Sequence, residues 1–186
     1  MESPRKEAVT LLLFLLTPLI SIAQHPYQTG DLIFRSGSGF ISDIARNFST
    51  TDKRFSHVGM VYIENNQTYI IHTLDDELKK IKHTVQEPFK NFLNDALTWK
   101  IYKLPITQKE RFWLDFNIKR EVKDAKPFDY HFDLKNNQNY YCTELIWSLL
   151  KDSLGRDIIT ARTYKNRQAF IAIDDILKVK DLDPYP

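Results

Sequence analysis

The sequence is poor in cysteine, with one among 186 residues, and it has no excess of charge of either sign. Lys and Arg number 26 against 24 Asp and Glu, the two signs are interspersed, and the formal net charge is +2. Nucleic-acid-binding domains usually concentrate basic residues, so this balance argues against a nucleic-acid partner. The length and the 42% hydrophobic content fit one globular domain with a substantial core.

Two common ligand-binding patterns are also missing. A single cysteine and histidines without helical ligand spacing do not make a zinc site. The Gly37-Ser38-Gly39 triplet lacks the third glycine and the βαβ context of a dinucleotide fingerprint. We therefore expect neither a metal ion nor a cofactor.

The longest apolar run lies near the N-terminus, from Ala8 to Ile22, and follows Arg5 and Lys6. It is short for a bilayer span, which needs ~20 apolar residues, and Ser21-Ile22-Ala23 places small residues before a possible cleavage point. The pattern predicts a signal peptide over 1–23, a single mature domain over 24–186, and a secreted or periplasmic protein without stable membrane insertion. An uncleaved membrane anchor is the alternative.

The lone Cys142 stands at the start of a predicted helix. Apolar residues recur at helical spacing over Thr143 to Leu154, and Gly155 follows as a C-cap. An unpaired thiol in an exported protein is an intermolecular link, a buried small residue or a nucleophile. A helix N-terminus favours an anion, so this position predicts a lowered thiol pKa and favours the nucleophile.

Two of the five histidines lie on predicted strands. His57 opens the β-rich run Ser56 to Ile63, His72 closes the run Thr68 to His72, and the turn residues Asn65 and Asn66 separate the two runs. Pairing around this turn predicts a hairpin that brings the two imidazoles close together. A base and a residue that orients it are two parts of a catalytic triad.

Other segments predict the remaining elements. We expect strands over 31–34 and 99–104, a helix over 41–48, and an aromatic loop over 127–133. A longer helix is predicted over 108–125, with an apolar face formed by Phe112, Leu114, Phe116, Ile118 and Val122.

Four blocks in this order resemble a known family. They are GDLIF at 30–34, FSHVGMV at 55–61, IIH at 70–72 and YCTEL at 141–145. Together they are similar to the YiiX/YebB-like, circularly permuted papain-like cysteine hydrolases of the NlpC-type superfamily. The resemblance implies an α+β fold in which an antiparallel sheet packs against the helix that carries the cysteine.

The resemblance also implies roles for particular residues. Cys142 would be the nucleophile, His57 the general base and later the general acid, and His72 the residue that orients His57. The backbone N–H of Cys142 would donate to the oxyanion. By similarity to cell-wall peptidases, Tyr141, Thr143 and Glu144 would contact the substrate.

The implied activity is that of an exported cysteine hydrolase that cleaves an amide bond through an acyl-thioester on Cys142. Cell-wall peptides, that is, peptidoglycan fragments, are the first expected substrate. A lipid acyl hydrolase or acyltransferase of the permuted papain-like type is the second possibility, and a binding module without turnover is the third. The sequence leaves open the third triad residue, the second oxyanion donor and the oligomeric state.

Overall fold

The computed structural model of the protein describes residues 26–38, 40–76 and 80–186. The predicted signal peptide therefore lies outside the described residues. The described chain contains eight strands and five helices. The strands are β1 (Leu32–Gly37), β2 (His57–Glu64), β3 (Gln67–Asp76), β4 (Ile81–Pro88), β5 (Ala96–Lys103), β6 (Thr163–Lys165), β7 (Gln168–Phe170) and β8 (Asp183–Pro184). The helices are α1 (Phe40–Phe48), α2 (Phe89–Phe92), α3 (Gln108–Asp124), α4 (Cys142–Leu154) and α5 (Ile173–Ile176).

Six strands form one sheet in the order β4-β3-β2-β1-β5-β8, and every neighbouring pair is antiparallel. Alternation along the strands sends side chains to two separate cores. Leu32, Phe34 and Met60 pack with α3 and α4, whereas Ile33 and Val61 pack with α2 on the other face. The predicted α+β architecture, with an antiparallel sheet against the cysteine helix, is confirmed.

The predicted hairpin is formed by β2 and β3. Asn65 and Asn66 adopt positive φ values of 49° and 60°, as the two central residues of a type I′ turn must, and Glu64 pairs with Gln67 across the turn. The register continues to the pair formed by Met60 and Ile71. This register fixes which side chains of β2 and β3 share a face of the sheet.

The two strands part beyond that pair. β2 continues back to His57 while remaining paired with β1, and β3 continues to Asp76 while remaining paired with β4. The ends of β2 and β3 thus diverge, each supported by its outer neighbour. Beyond Met60 and Ile71, the backbones of β2 and β3 are therefore no longer paired with each other.

A buried carboxylate fastens β1 to distant parts of the chain. Asp31 is fully buried and accepts hydrogen bonds from Arg111 of α3 at 3.2 Å and from the Tyr185 hydroxyl at 2.6 Å. Arg111 also donates to the carbonyl oxygens of Thr29 and Leu104. Because a buried charge is tolerated only when it is paired and hydrogen-bonded, these contacts hold β1, α3 and the C-terminal strand in a fixed arrangement.

The longer predicted helix is confirmed as α3, but its predicted apolar face is partly wrong. Leu114 and Ile118 are buried, whereas Phe112 is 67% exposed and Phe116 is 57% exposed. A helix beside a sheet buries one face, and these two phenylalanines fall outside it. No helix within the described ranges has both the length and the apolar character needed to cross a membrane.

Candidate active site

Cys142 is the first residue of α4. Tyr141 precedes the helix in an extended conformation, with φ −97° and ψ 170°, and its hydroxyl accepts a hydrogen bond from the Ile171 N–H at 2.9 Å. The helix ends at Gly155, whose φ of 65° gives the left-handed C-cap predicted from the sequence. The apolar face of α4 packs into the core, so the helix is rigidly held and its N-terminus carries the thiol to the sheet.

The thiol lies beside the part of β2 that is no longer paired with β3. The backbone N–H groups of Val58, Thr143 and Cys142 itself are the hydrogen-bond donors that favour the thiolate form of Cys142. Val58 directly follows His57, so the sulfur is placed beside the strand that carries the predicted base. Cys142 and His57, which are distant in the sequence, line the same cleft.

The two histidines form a hydrogen-bonded pair, as the hairpin predicts. His57 Nε2 lies 2.9 Å from His72 Nδ1, and His72 Nε2 lies 3.1 Å from a carboxylate oxygen of Glu87 on β4. His72 is fully buried. The result is a relay that runs from His57 through His72 to Glu87.

Glu87 determines which nitrogen of each ring carries a proton. An ionised carboxylate can only accept, so His72 Nε2 must donate to it. A His72 ring with one proton then accepts at Nδ1, and His57 Nε2 must donate to that nitrogen. The remaining nitrogen of a neutral His57, Nδ1, is left unprotonated, which is the state that a general base requires.

Phe92 of α2 packs against both imidazoles. Its ring centroid lies 5.7 Å from that of His57 and 5.0 Å from that of His72. The guanidinium of Arg35 lies over the same ring at 4.6 Å and donates to the Phe92 carbonyl at 2.6 Å. Arg35 is directly opposite His57 across β1 and β2, so a buried aromatic ring and a cation enclose the relay.

Gly59 provides the space in which the two histidines meet. It lies on the same face of β2 as His57, because the two residues are two positions apart. A Cβ atom at Gly59 would lie 2.3 Å from Ile70 Cγ2 and 3.4 Å from His72 Cβ. Any side chain here would push β3 away, so this glycine is required by close approach of the strands.

The electrostatics of the thiol differ from the sequence-based expectation. Burial raises the pKa of Cys142 to about 11, although the three backbone N–H groups and the charge of Arg35 act in the opposite direction. Burial also holds the pKa of His57 well below its usual value, and His72 and Arg35 contribute to the same effect. The direction is opposite to the lowering of the thiol pKa expected from the sequence, because desolvation outweighs the helix N-terminus, and it favours a neutral thiol beside a neutral imidazole.

The three residues predicted to contact the substrate have different positions. Tyr141 lines the cleft beside Cys142. Thr143 is buried and donates from its hydroxyl to the Ile171 carbonyl at 2.6 Å. Glu144 is buried and accepts from the Tyr141 N–H at 3.4 Å, while burial and the nearby charge of Asp129 raise its pKa to about 8. Of the three, Tyr141 lines the main cleft, and Tyr141 and Thr143 line a smaller pocket that also reaches Cys142. Glu144 serves an internal contact.

The cleft above Cys142 has a volume of about 390 Å³ and a largely apolar wall. Its polar groups come from Arg35, Ser42, Ser56, His57, Thr73 and Asp75. Its apolar and aromatic lining comes from α1, β3 and the 127–133 loop: Ile44, Ala45, Phe48, Leu74, Phe128, Tyr130 and Phe132. A separate small pocket of about 50 Å³, lined in part by Phe170 and Ala172, also reaches Cys142. Cys142 and His57 therefore face a cleft whose wall is largely apolar.

The relay beyond the two histidines was not found from the sequence. Glu87 and Arg35 lie in segments without a motif, and only the strand register reveals them. Ile70 pairs with Glu87 across β3 and β4, which places Glu87 on the same face as His72. Among the residues that the structure describes, no group of three or more His, Cys, Asp or Glu side chains could hold a metal ion.

Comparisons with known proteins agree with this geometry. Residues 26–180 match the family of permuted papain-like amidases of the YaeF/YiiX type, peptidase family C92. The crystal structure of YiiX from Escherichia coli O157:H7, described as a metalloprotein, is similar with a TM-score of 0.70 at 18% identity, over 86% of this chain and 96% of that one. No significant match was found among curated proteins. The matched family covers nearly the whole described chain, and the protein belongs to the permuted papain-like amidases of the YaeF/YiiX type.

Proposed function

We propose that this protein hydrolyses amides by nucleophilic attack of Cys142, with His57 as the base and His72 as the residue that orients it. The observation that carries the proposal is the chain of hydrogen bonds from His57 to His72 and Glu87, next to a thiol at a helix N-terminus. This arrangement supplies a nucleophile, an unprotonated acceptor nitrogen and a fixed tautomer.

The neutral resting pair defines the first step. As the sulfur attacks the amide carbonyl, its proton passes to His57 Nδ1 and the negative charge moves to the carbonyl oxygen. The N–H of Cys142 can stabilise that oxyanion, because the first N–H groups of a helix have no partner within it. His57 then protonates the leaving amine, the C–N bond breaks, and the acyl group remains on the sulfur as a thioester.

Water completes the reaction. His57, neutral again after giving its proton to the amine, takes a proton from a water molecule that attacks the thioester carbonyl. The C–S bond breaks, the proton returns to the sulfur, and a carboxylic acid leaves. The hydrogen bond to His72, which Glu87 polarises, stabilises the imidazolium that forms in both steps.

The lining of the cleft supports an apolar acyl group. Phe48, Phe128 and Phe132 form much of the wall next to Cys142, and burying one such group contributes about 25 cal/mol per Å² of apolar surface. A fatty acyl amide would place its chain on this wall and its carbonyl at the sulfur. The alternative activity on lipid acyl groups, raised by the sequence, is therefore favoured for the substrate.

Cell-wall peptides, the first substrate expected from the sequence, have one observation in their favour. Asp75 lines the cleft, and its buried Oδ1 has no hydrogen-bond partner among the described residues, although the Lys82 ammonium lies 3.8 Å away. A free amine of a stem peptide could donate to this oxygen. Export into the compartment that holds such peptides is part of this second proposal.

Intact-mass spectrometry of the acyl-enzyme tests both proposals. The protein is incubated with N-acyl amino acids of increasing chain length or with purified muropeptides. The reaction is quenched in acid, and the intact mass of the protein is measured. We expect an adduct with the mass of the fatty acyl group that is absent from Cys142→Ala. An adduct only from muropeptides would assign the cleft to cell-wall peptides, and no adduct or product from either set would contradict the amidase proposal.

A further inference from the structure

One face of α3 is aromatic and basic along its whole length. At about 100° per residue, seven exposed side chains fall within an arc of roughly 120°. They are Lys109, Phe112, Trp113, Phe116, Lys119, Arg120 and Lys123. We call these seven residues the α3 stripe. The opposite face of the helix packs into the core through Leu114 and Ile118.

The aromatic residues of the stripe form one exposed cluster. Phe112 is 67% exposed, Trp113 47% and Phe116 57%. Their rings contact each other edge to face, with centroid distances of 5.6 Å and 6.3 Å. A soluble protein rarely exposes three adjacent aromatic side chains without a function for them.

Acidic residues are excluded from the stripe and border it. Glu110 pairs with Arg156, and Glu121 is buried on the opposite side. Asp115 lies at one edge, where it binds Lys119 at 2.8 Å, and Asp124 lies just beyond the other edge. The stripe carries four positive charges. Acidic neighbours offset part of this charge, because Arg120 lies 3.8 Å from Glu121 and 3.6 Å from Asp152 and Lys119 is paired with Asp115.

We propose that the α3 stripe binds the surface of a membrane that contains anionic lipids. Phe and Trp side chains on a helix face enter the boundary between headgroups and acyl chains, and Lys and Arg beside them contact anionic headgroups. The helix would lie in the plane of the interface and would not cross it. This surface is separate from the cleft, and the proposal goes beyond the proposed hydrolysis.

The course of the chain supports a membrane as the partner. The Thr29 carbonyl accepts a hydrogen bond from Arg111 of α3 at 2.7 Å. Arg111 is buried on the helix face opposite the stripe, so residue 29 lies against the core side of this helix. The apolar run of the sequence ends at Ile22, seven positions earlier. Seven residues span at most roughly 25 Å. If the N-terminal segment were inserted in a bilayer, it would therefore hold α3 within this distance of the bilayer, and the aromatic and basic side chains of the stripe would decide which face of the helix meets it.

Sedimentation with lipid vesicles tests the proposal with the full chain. We expect binding to vesicles that contain phosphatidylglycerol and at least about tenfold weaker binding to pure phosphatidylcholine. Phe112→Ser/Phe116→Ser and Lys109→Gln/Lys123→Gln should each reduce binding to the anionic vesicles several-fold. Lys53→Gln/Lys180→Gln, which removes two exposed lysines from other surfaces, should leave binding unchanged, as should Cys142→Ala.

Tryptophan fluorescence locates the contact within the chain. Vesicles with brominated acyl chains should quench the tryptophan emission of the wild type, of Trp99→Phe and of Trp147→Phe. The emission of Trp113→Phe should be quenched much less. Quenching that does not depend on Trp113, or sedimentation that depends on neither lipid charge nor the stripe, would overturn the proposal. Binding of the stripe to a DNA oligonucleotide without binding to vesicles would overturn it too.

The test is independent of catalysis. The stripe residues do not line the cleft, so the stripe variants should hydrolyse a soluble ester or amide at the wild-type rate. Loss of vesicle binding with retained hydrolysis supports the proposal. If the protein bound vesicles normally but formed no acyl-enzyme, the membrane-binding role of the α3 stripe would be supported and only the hydrolase proposal would be contradicted.

Discussion

Replacing Glu87 with Gln tests whether the buried carboxylate takes part in catalysis through the two histidines. Gln has nearly the same shape, but its amide can donate to His72 Nε2 as well as accept from it. When it donates, His72 carries its proton on Nδ1 and donates to His57, and His57 is then protonated on the nitrogen that should accept from the thiol. The substitution therefore permits the wrong tautomer of both rings.

The size of the effect follows from the hydrogen bond that is lost. A hydrogen bond to a charged group contributes about 1.5–3 kcal/mol, and each ~1.4 kcal/mol in the activation free energy changes the rate tenfold. Glu87→Gln should therefore lower kcat for acylation by about 10- to 150-fold. KM should change little, because Glu87 does not line the cleft.

The assay follows release of p-nitrophenolate from p-nitrophenyl acyl esters, which acylate a thiol without a demanding leaving group. Glu64→Gln is the matched control, since Glu64 is a carboxylate on β2 that accepts hydrogen bonds from Tyr62 and Gln86. Urea denaturation of both variants checks that the fold is retained. A stable Glu87→Gln protein with wild-type kcat would refute the role of the carboxylate in setting the tautomer.

Three further results are expected. Cys142→Ala and His57→Ala should both reduce the rate of hydrolysis to background, and His72→Ala should give an intermediate rate. If His72→Ala were as active as the wild type while Asp129→Asn lost activity, His72 would not be the residue that orients His57. Because burial raises the pKa of Cys142 to about 11, less thiolate is present at neutral pH than in an ordinary thiol, so iodoacetamide at about pH 7 should alkylate the native chain more slowly than the urea-unfolded chain, and the rate should rise with pH. Fast alkylation of the native chain near about pH 6 would instead demonstrate a thiolate–imidazolium pair. Gly59→Ala should lower the free energy of unfolding by ~1–3 kcal/mol in urea denaturation, because the new Cβ would lie 2.3 Å from Ile70 Cγ2. An unchanged urea midpoint would show that β2 and β3 accommodate the methyl group without loss of stability.

The sequence predicts those parts of the site that depend on local chemistry. Two asparagines that tolerate positive φ define the hairpin, and the hairpin alone brings His57 and His72 together. Apolar spacing and a glycine C-cap define α4 and place Cys142 at its start. Each of these features depends on residues close together in the chain, so one sequence is enough to reveal it.

Features that depend on distant packing could not be predicted in the same way. Glu87 reaches His72 only through the register of β3 with β4, and the sequence gives that register no turn motif comparable to the asparagine pair. The thiol pKa depends on how fully the surrounding elements exclude water, which a position at a helix N-terminus does not reveal. The α3 stripe was obscured because acidic and basic residues alternate along the chain and separate only when the helix forms.

The order of the catalytic elements has a consequence for synthesis of the protein. Strands β2, β3 and β4, with His57, His72 and Glu87, all precede α4 in the chain. A growing chain that has not yet reached α4 can pair these strands but contains no nucleophile. Synthesis from the N-terminus therefore adds the proposed nucleophile after both histidines and the carboxylate, and a product truncated before residue 142 would lack the only cysteine.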